Sequence, residues 1–290
     1  MNPHQKDITV SIVNWNTRDE LRECLDDIFS QVGVSIEVIV VDNASSDGST
    51  EMVRTEFADR VTLITNTANL GFGAGHNAAM GYASGRYVLF LNPDCRIPDA
   101  NTLAAMTDYL DQNPDIGMMG PKLTNPDGSL QFSARRFPTM LAAVFRHTIF
   151  GKLFPKNRFV RDYMMTDWAH DQVTDVDWLS GSVLMVRREV LEQIGVFDER
   201  FFMYCEDVDL CKRAHQAGWR VVYNPMAHVV HRIGASSDQN PIPMIKQHHR
   251  SMLRYFLKHY SRSPRILLTP LAVVALWLRS WSLIRRAKPK

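Results

Sequence analysis

No stretch of this 290-residue chain supplies the roughly 20 consecutive apolar residues that a membrane-spanning helix needs, and no two of its four cysteines form a CxxC pair. The first absence predicts a chain without a transmembrane span. The second removes structural zinc and thioredoxin-type redox chemistry, and leaves Cys24, Cys95, Cys205 and Cys211 as scattered thiols of a reducing compartment. The N-terminal MNPHQKDITV has no apolar signal core, so export is not expected. There is no internal repeat and no low-complexity tract. Acidic residues are missing from one end only. From Lys246 to Lys290 there are eleven Lys or Arg and no Asp or Glu, which leaves the first 245 residues at −9 against a chain total of +2.

What is present reads as a globular α/β chain, with 45% hydrophobic and 22% charged residues, long enough for one large domain with an appendage. Ile8–Val13, Ile36–Val41, Val61–Thr65 and Tyr87–Leu91 are apolar, β-branched-rich runs that predict strands. Between them lie helical patterns. Thr17–Gln31 places Leu21, Cys24, Leu25, Ile28 and Phe29 on one face, with Thr17 and Glu20 at capping-box spacing. Ser49–Phe57 and the small-residue segment Gly73–Ala83 complete an alternation that predicts a doubly wound, mostly parallel sheet with right-handed crossovers. After the helix Ala100–Gln112, regularity weakens. Residues 133–170, rich in Arg, Phe, Met and Pro, suggest a loop or helical lid over a site. It returns with the strand Val183–Arg187, the helix Asp207–Ala217, short strands at Val221–Tyr223 and Val229–Val230, and a basic helix at Pro243–Tyr260.

The apolar strand Tyr87–Leu91 stops on Asn92-Pro93-Asp94, an acid at the carboxyl end of a strand, where open α/β sheets bind ligands. With a divalent metal such an aspartate can hold a diphosphate, although Asn-Pro-Asp is also an ordinary turn. The second strand ends on Asp42, followed by Asn43-Ala44-Ser45-Ser46-Asp47-Gly48-Ser49. Asp42 can accept from a ribose or base, while Asp47 or Ser49 caps the next helix. Asn69-Leu70-Gly71-Phe72-Gly73-Ala74-Gly75-His76-Asn77 is glycine-rich at a helix start, which favours close backbone approach to a ligand. Its glycine spacing misses the dinucleotide fingerprint, and no Gly-Lys-Ser/Thr follows to make a P-loop. Trp178-Leu179-Ser180-Gly181-Ser182 can admit a substrate to the backbone at Gly181, or simply plug a strand entry with Trp178. Glu206, Asp207 and Asp209 fall in the first turn of a helix, where carboxylates are stabilised anyway. The apolar approach Phe201-Phe202-Met203-Tyr204 would desolvate Glu206 and Asp207 and raise a carboxylate toward general-base work. Two histidines, His228 and His231, follow late in the chain. An aspartate strand end and a late histidine make a hard-metal set.

In this order, SIVNWN (11–16), VDNASSDGS (41–49), NLGFGAGHN (69–77), LFLNPD (89–94), WLSGSVLMVRREV (178–190) and FFMYCEDVDLCKR (201–213) resemble family 2 glycosyltransferases of the GT-A fold. The resemblance runs over about residues 8–235 and is nearest to a rhamnosyltransferase-like branch. It implies a Rossmann-like, mostly parallel sheet with flanking helices, a GT-A domain over 1–240, and a basic amphipathic helical region over 241–290. It assigns Asn14, Asp42, Asn69, Gly71, Gly73, Asn77, Asn92 and Asp94 to the sugar-nucleotide donor, with Asp42 at the nucleoside. Trp178 and Gly181 fall to the acceptor. Asn92-Pro93-Asp94 stands where many relatives carry Asp-x-Asp, so Asp94 with His231 is the expected site for Mg²⁺ or Mn²⁺. Asp207, beside Glu206, is the expected base that activates an acceptor hydroxyl for an inverting displacement.

The expected donor is dTDP-L-rhamnose, with a UDP-sugar as the alternative. Ile266–Leu278 is uncharged, and Trp277, Trp281 and the basic flank suit a segment lying in an anionic interface rather than binding nucleic acid. The same tail can instead pack on the domain or on a second copy as a homodimer contact. A polyprenyl-diphosphate-linked sugar is the expected acceptor, which places the chain on the cytoplasmic face of a cell membrane, in cell-surface glycan synthesis. Two rival classes stand against this. A nucleotidyltransferase would carry a basic glycine-rich signature near the first strand, and Ser11–Asn16 has none. A non-catalytic nucleotide-sugar-binding protein fits the missing first aspartate but not the Glu206-Asp207 pair.

Overall fold

A computed structural model describes residues 6–139, 142, 145, 153, 154, 157–232, 234, 241–261 and 269–287. The first half alternates as the hydrophobic pattern requires: β1 (Ile8–Asn14), α1 (Arg18–Phe29), β2 (Ile36–Asp42), α2 (Ser49–Glu56), β3 (Val61–Thr65), α3 (Phe72–Ala79) and β4 (Tyr87–Leu91). β3, β2, β1 and β4 lie side by side and parallel. The run Tyr87–Leu91 is apolar throughout because both faces are covered. Tyr87, Leu89 and Leu91 pack toward α1 and α4 (Thr102–Gln112), while Val88 and Phe90 pack on the opposite layer.

The sheet then changes direction. β5 (Cys95–Arg96) is followed by α4 and by β6 (Ile116–Thr124), then by the short β7 (Leu130–Gln131) and β8 (Ala134–Arg135). α5 (Arg158–Met164), β9 (Thr174–Asp175), β10 (Trp178–Leu179), β11 (Val183–Arg187), α6 (Arg188–Ile194), α7 (Glu206–Gln216) and β12 (Arg220–His231) complete the body. β11 enters antiparallel between β4 and β6, giving the order β3-β2-β1-β4-β11-β6-β12-β5. The sheet is therefore mixed rather than wholly doubly wound. Ile116–Thr124 (IGMMGPKLT) gave no strand pattern in the sequence because two glycines and a proline dilute it, yet it is a buried strand paired between β11 and β12. The two short strands expected after α7 are one twelve-residue strand with an irregularity between Asn224 and His228.

Two further differences are local. The capping box of α1 is not made: Thr17 Oγ1 donates to Asn14 Oδ1 at 2.7 Å, and Asp47 Oδ2 accepts from Arg18 N at 2.8 Å instead. Of the expected lid over 133–170, residues 140, 141, 143, 144, 146–152, 155 and 156 lie outside the described residues; the rest forms β8, α5 and connecting turns.

The basic C-terminal region begins with α8 (Pro241–Tyr260), which lies against the body. Lys258 Nζ and His259 Nε2 each stand 2.7 Å from Oδ1 of the fully buried Asp209 in α7, and Ser251 Oγ donates to Met203 O at 2.8 Å. Arg213 holds the other oxygen of Asp209 at 2.9 Å. α9 (Thr269–Ala287) packs on α8, and no helix among the described residues is long and apolar enough to cross a membrane.

Gly71 joins these layers. Its φ is +88°, and a Cβ there would lie 2.2 Å from the carbonyl oxygen of Phe202. The next amide, Phe72 N, donates to that oxygen at 2.9 Å. Gly71→Ala is expected to cost at least about 2 kcal/mol through backbone strain and overlap. Gly128→Ala, at φ +83° with open space around it, is expected to cost only about 1 kcal/mol. Urea midpoints at unchanged slope measure the difference.

Candidate active site

The carboxyl ends of β1, β2 and β4, the β10–β11 turn, the entry to α7 and one face of α8 enclose a cavity of about 900 Å³. On one side lie Asn43, Asn69 and Gly71. Asn43 Nδ2 donates to Gly71 O at 3.1 Å and to Asn69 Oδ1 at 3.3 Å, and Asn69 Oδ1 also accepts from Gly71 N at 2.9 Å. Behind them Asp42, buried at the end of β2, accepts from Asn14 Nδ2 at 2.8 Å on one oxygen and from Ser45 N at 2.9 Å on the other. These bonds hold the β2–α2 turn open over the cavity's floor.

A second cluster follows from strand register. β12 runs antiparallel to β5, with His231 opposite Cys95, so the imidazole comes beside Asp94. Gln131 fixes that ring. Its Nε2 donates to His231 O at 2.6 Å and Asn125 Oδ1 at 2.7 Å, which turns Oε1 toward His231 Nδ1 at 2.9 Å. Nδ1 therefore carries a proton, and Nε2, which offers a lone pair when the ring is neutral, stands 3.2 Å from Asp94 Oδ1 and 3.4 Å from Asn92 Nδ2. That Asp94 oxygen is buried and accepts no hydrogen bond. A buried carboxylate oxygen without a donor, facing a neutral imidazole nitrogen, is what a cation relieves, and a carboxylate with an imidazole suits Mg²⁺ or Mn²⁺. Cys95 lies within the same group but donates its thiol to Ser182 O at 3.6 Å, and burial raises its pKa well above the ordinary range. It remains a thiol and adds no charge.

The third cluster opens α7. Tyr204 and Cys205 both take left-handed conformations, at φ +69° and +68°, to turn the chain into the helix. Burial raises the pKa of both Glu206 and Asp207, and each opposes ionisation of the other. Asp207 is offset: Oδ2 accepts from Gly181 N at 3.0 Å, Oδ1 accepts from Val208 N at 2.8 Å, and Arg135 lowers it further. Glu206 Oε2 is buried with no partner. The pair therefore divides, with Glu206 keeping its proton and Asp207 the first to ionise. Arg135 comes from β8, which pairs with β10 so that its guanidinium lies 5.0 Å above the Trp178 ring.

Residues 9–195 of the chain match the family model "Glycosyl transferase family 2". The chain belongs to this family. The chain is 34% identical over 237 residues to the N-acetylglucosaminyl-diphospho-decaprenol L-rhamnosyltransferase of Mycobacterium tuberculosis, covering 78% of this chain and 76% of that one. It is 29% identical over 196 residues to rhamnosyltransferase WbbL of Escherichia coli K12, covering 65% and 70% respectively. Among solved structures, the mannosyltransferase PcManGT of Pyrobaculum calidifontis, in complex with GDP-Man and Mn²⁺, superposes with a TM-score of 0.59 at 19% identity, over 99% of this chain and 77% of that one. TarS 1–349 of S. aureus in complex with UDP gives 0.55 at 16% identity, over 97% and 73%. The fold is accordingly that of the GT-A glycosyltransferases.

Within this family 2 domain the residues named from sequence fall into two groups. Asn69, Gly71, Asn92, Asp94, Trp178, Gly181, Glu206, Asp207 and His231 line the cavity. Asn14 and Asp42 stand behind it, Gly73 backs onto Phe197, and Asn77 spends its side-chain amide on Phe197 O at 2.9 Å and Glu199 at 3.0 Å. His228 bonds Thr124 Oγ1 at 2.9 Å, away from Asp94. Sequence reasoning missed Asn43, Gln131 and Arg135. The last two sit on two-residue strands whose pairing no local pattern reveals.

Two outcomes follow from this geometry. Gln131→Leu frees the His231 ring and is expected to weaken Mn²⁺ binding 10- to 100-fold, read by titration followed by paramagnetic resonance. Glu206, raised above its ordinary value of about 4.3, stabilises the fold fully below that value and loses this contribution as pH climbs through its folded-state value. Glu206→Gln is therefore expected to gain stability relative to the native protein as pH rises from 4 to 9 in denaturant melts, provided the amide packs in the same space.

Proposed function

We propose that this chain is an inverting rhamnosyltransferase, moving L-rhamnose from dTDP-L-rhamnose to a saccharide carried on a polyprenyl diphosphate at a membrane surface. The observation that carries the reading is the division of the carboxylate pair: Asp207 is anchored by two backbone N–H groups and ionisable, beside a protonated Glu206, in the same cavity as Asp94 and His231. The donor sugar and acceptor class follow the similarity to the mycobacterial enzyme.

In this reading Asn43, Asn69 and the Gly71 backbone bind the nucleoside side of the donor, with Asp42 and Asn14 holding the turn behind them. Asp94 and His231 would hold Mg²⁺ or Mn²⁺, which when bound neutralises charge on the departing diphosphate. Asp207 takes the proton from the acceptor hydroxyl as its oxygen attacks the anomeric carbon. The bond from that carbon to the diphosphate breaks, and the nucleoside diphosphate leaves with the electron pair from the opposite face. Trp178, buried and held by its Nε1 donating to Arg136 O at 2.8 Å, forms a rigid wall for the acceptor sugar. The exposed Val274, Trp277, Leu278 and Trp281 of α9, with Arg285 against Trp281 at 3.6 Å, form the surface that meets an anionic membrane.

Asp207→Asn separates this function from nucleotide-sugar binding without turnover. Nucleoside diphosphate release on a polyprenyl-diphosphate saccharide is expected to fall 10²- to 10⁴-fold, with dTDP-L-rhamnose affinity by calorimetry within about threefold of the native protein. Unchanged release in the variant, or no release from any donor by the native chain, contradicts the reading.

A further inference from the structure

If the acceptor is a lipid diphosphate, the site must manage a second diphosphate besides the donor's. Asp94 and His231 lie at the β4–β12 end of the cavity. The other wall is built by α8 and α9, with Met244, His248 and Met252 facing the space together with Arg279. Arg135 and Arg279 are the arginines of the cavity lining among the described residues. Arg135 is committed to Phe132 O at 2.8 Å, to the Trp178 ring and to the field at Asp207. Arg279 comes from α9, at the junction of the cavity and the tail.

The two faces of α9 explain that placement. Val274, Trp277, Leu278 and Trp281 follow i, i+3, i+4, i+7 spacing and are 47–65% exposed. Leu276, Arg279, Ser280 and Leu283 follow the same spacing half a turn away and are half-buried, and Arg279 among them reaches His249 of α8. One helix thus turns an apolar stripe outward and a guanidinium inward. Arg279 Nη1 donates to His249 Nε2 at 3.4 Å. His249 is an acceptor there because its Nδ1–H is spent on Ile245 O at 2.6 Å, and burial together with Arg279 keeps the ring neutral. Arg279 thus lines the cavity wall beside a neutral histidine.

We propose that Arg279 is the residue that binds the diphosphate of the lipid-linked acceptor. A lipid lying along the exposed stripe of α9 carries its headgroup over the helix, and among the described residues Arg279 is the arginine that lines the cavity on that wall. A guanidinium presents paired N–H donors that match two phosphate oxygens, an arrangement a lysine ammonium does not reproduce. The acceptor sugar beyond the diphosphate then extends toward Trp178 and Asp207. This inference rests on the lipid-diphosphate acceptor named above.

The test uses the full chain in neutral-detergent micelles, with EDTA present so that no metal at Asp94 and His231 draws the probe. Geranylgeranyl diphosphate and geranylgeraniol are titrated calorimetrically into the native protein, Arg279→Ala and Arg279→Lys. The native protein is expected to prefer the diphosphate over the alcohol by tenfold or more. Arg279→Ala should lose that preference while binding the alcohol as before, and Arg279→Lys should fall between. A native protein without the preference, or an alanine or lysine variant that keeps it in full, overturns the proposal. Should the alanine variant fail to fold, the lysine variant alone decides: native-level discrimination in it is contrary, and a partial loss is in favour. Loss of the transferase reading looks different, since the diphosphate preference would then persist and depend on Arg279 while no donor supported transfer.

Discussion

The hydrogen bond from Gly181 N to Asp207 Oδ2 is the constraint on which the site depends. It ties the first turn of α7 to the turn between β10 and β11, two segments 26 residues apart in sequence. Gly181 is closely packed: a Cβ there would lie tight against the Phe72 ring at 3.1 Å and in contact with Asp207 Cβ at 3.4 Å. Phe72 is in turn fixed by its backbone N–H, which donates to Phe202 O on the loop that leads into α7. A glycine, an aromatic ring and a carboxylate thus set one another's positions. The left-handed turn at Tyr204 and Cys205 is held in place by the same contacts, so strain at the helix entry is offset by the packing that makes the carboxylate useful.

The division of labour between two buried acids follows from backbone donors rather than from burial alone. Desolvation acts on both Glu206 and Asp207 and raises the pKa of each. Only Asp207 has N–H groups on each oxygen and a guanidinium nearby. At the other end of the cavity the pattern is reversed: Asp94 has an oxygen left bare opposite an imidazole whose tautomer Gln131 dictates. One end of the cavity is prepared to take up a proton and the other to accept a cation. A glycosyl transfer that separates a proton from one oxygen and a diphosphate from a carbon needs both.

Much of this was legible in the sequence, and the legible parts share a cause. Tyr87–Leu91 reads as a strand because burial on both faces demands an unbroken apolar run, and Asp94 stands out because a proline ends that run. Glu206 and Asp207 stand out because four apolar residues precede them. Where position depends on pairing between distant segments, local pattern is silent. Gln131 and Arg135 sit on strands of two residues, and β6 hides behind glycines and a proline whose burial comes from β11 and β12. The glycine-rich run 69–77 shows the opposite error. It suggested a cradle for a ligand throughout, whereas Gly73 serves close packing on Phe197 and Asn77 clamps the 197–199 loop; only its first residues reach the cavity. The C-terminal region read from composition as basic and helical; Lys258 and His259 bind its first helix to α7 through Asp209, a partner that composition does not reveal.

The central claim is a single displacement in which Asp207 takes the acceptor proton while the diphosphate leaves from the opposite face. The most direct measurement is the anomeric configuration of the first-formed product, read by proton and carbon NMR coupling constants against that of the nucleotide-sugar donor. The account predicts inversion at the transferred carbon. Retention would require a second nucleophile or a same-face departure, and would contradict the role given to Asp207.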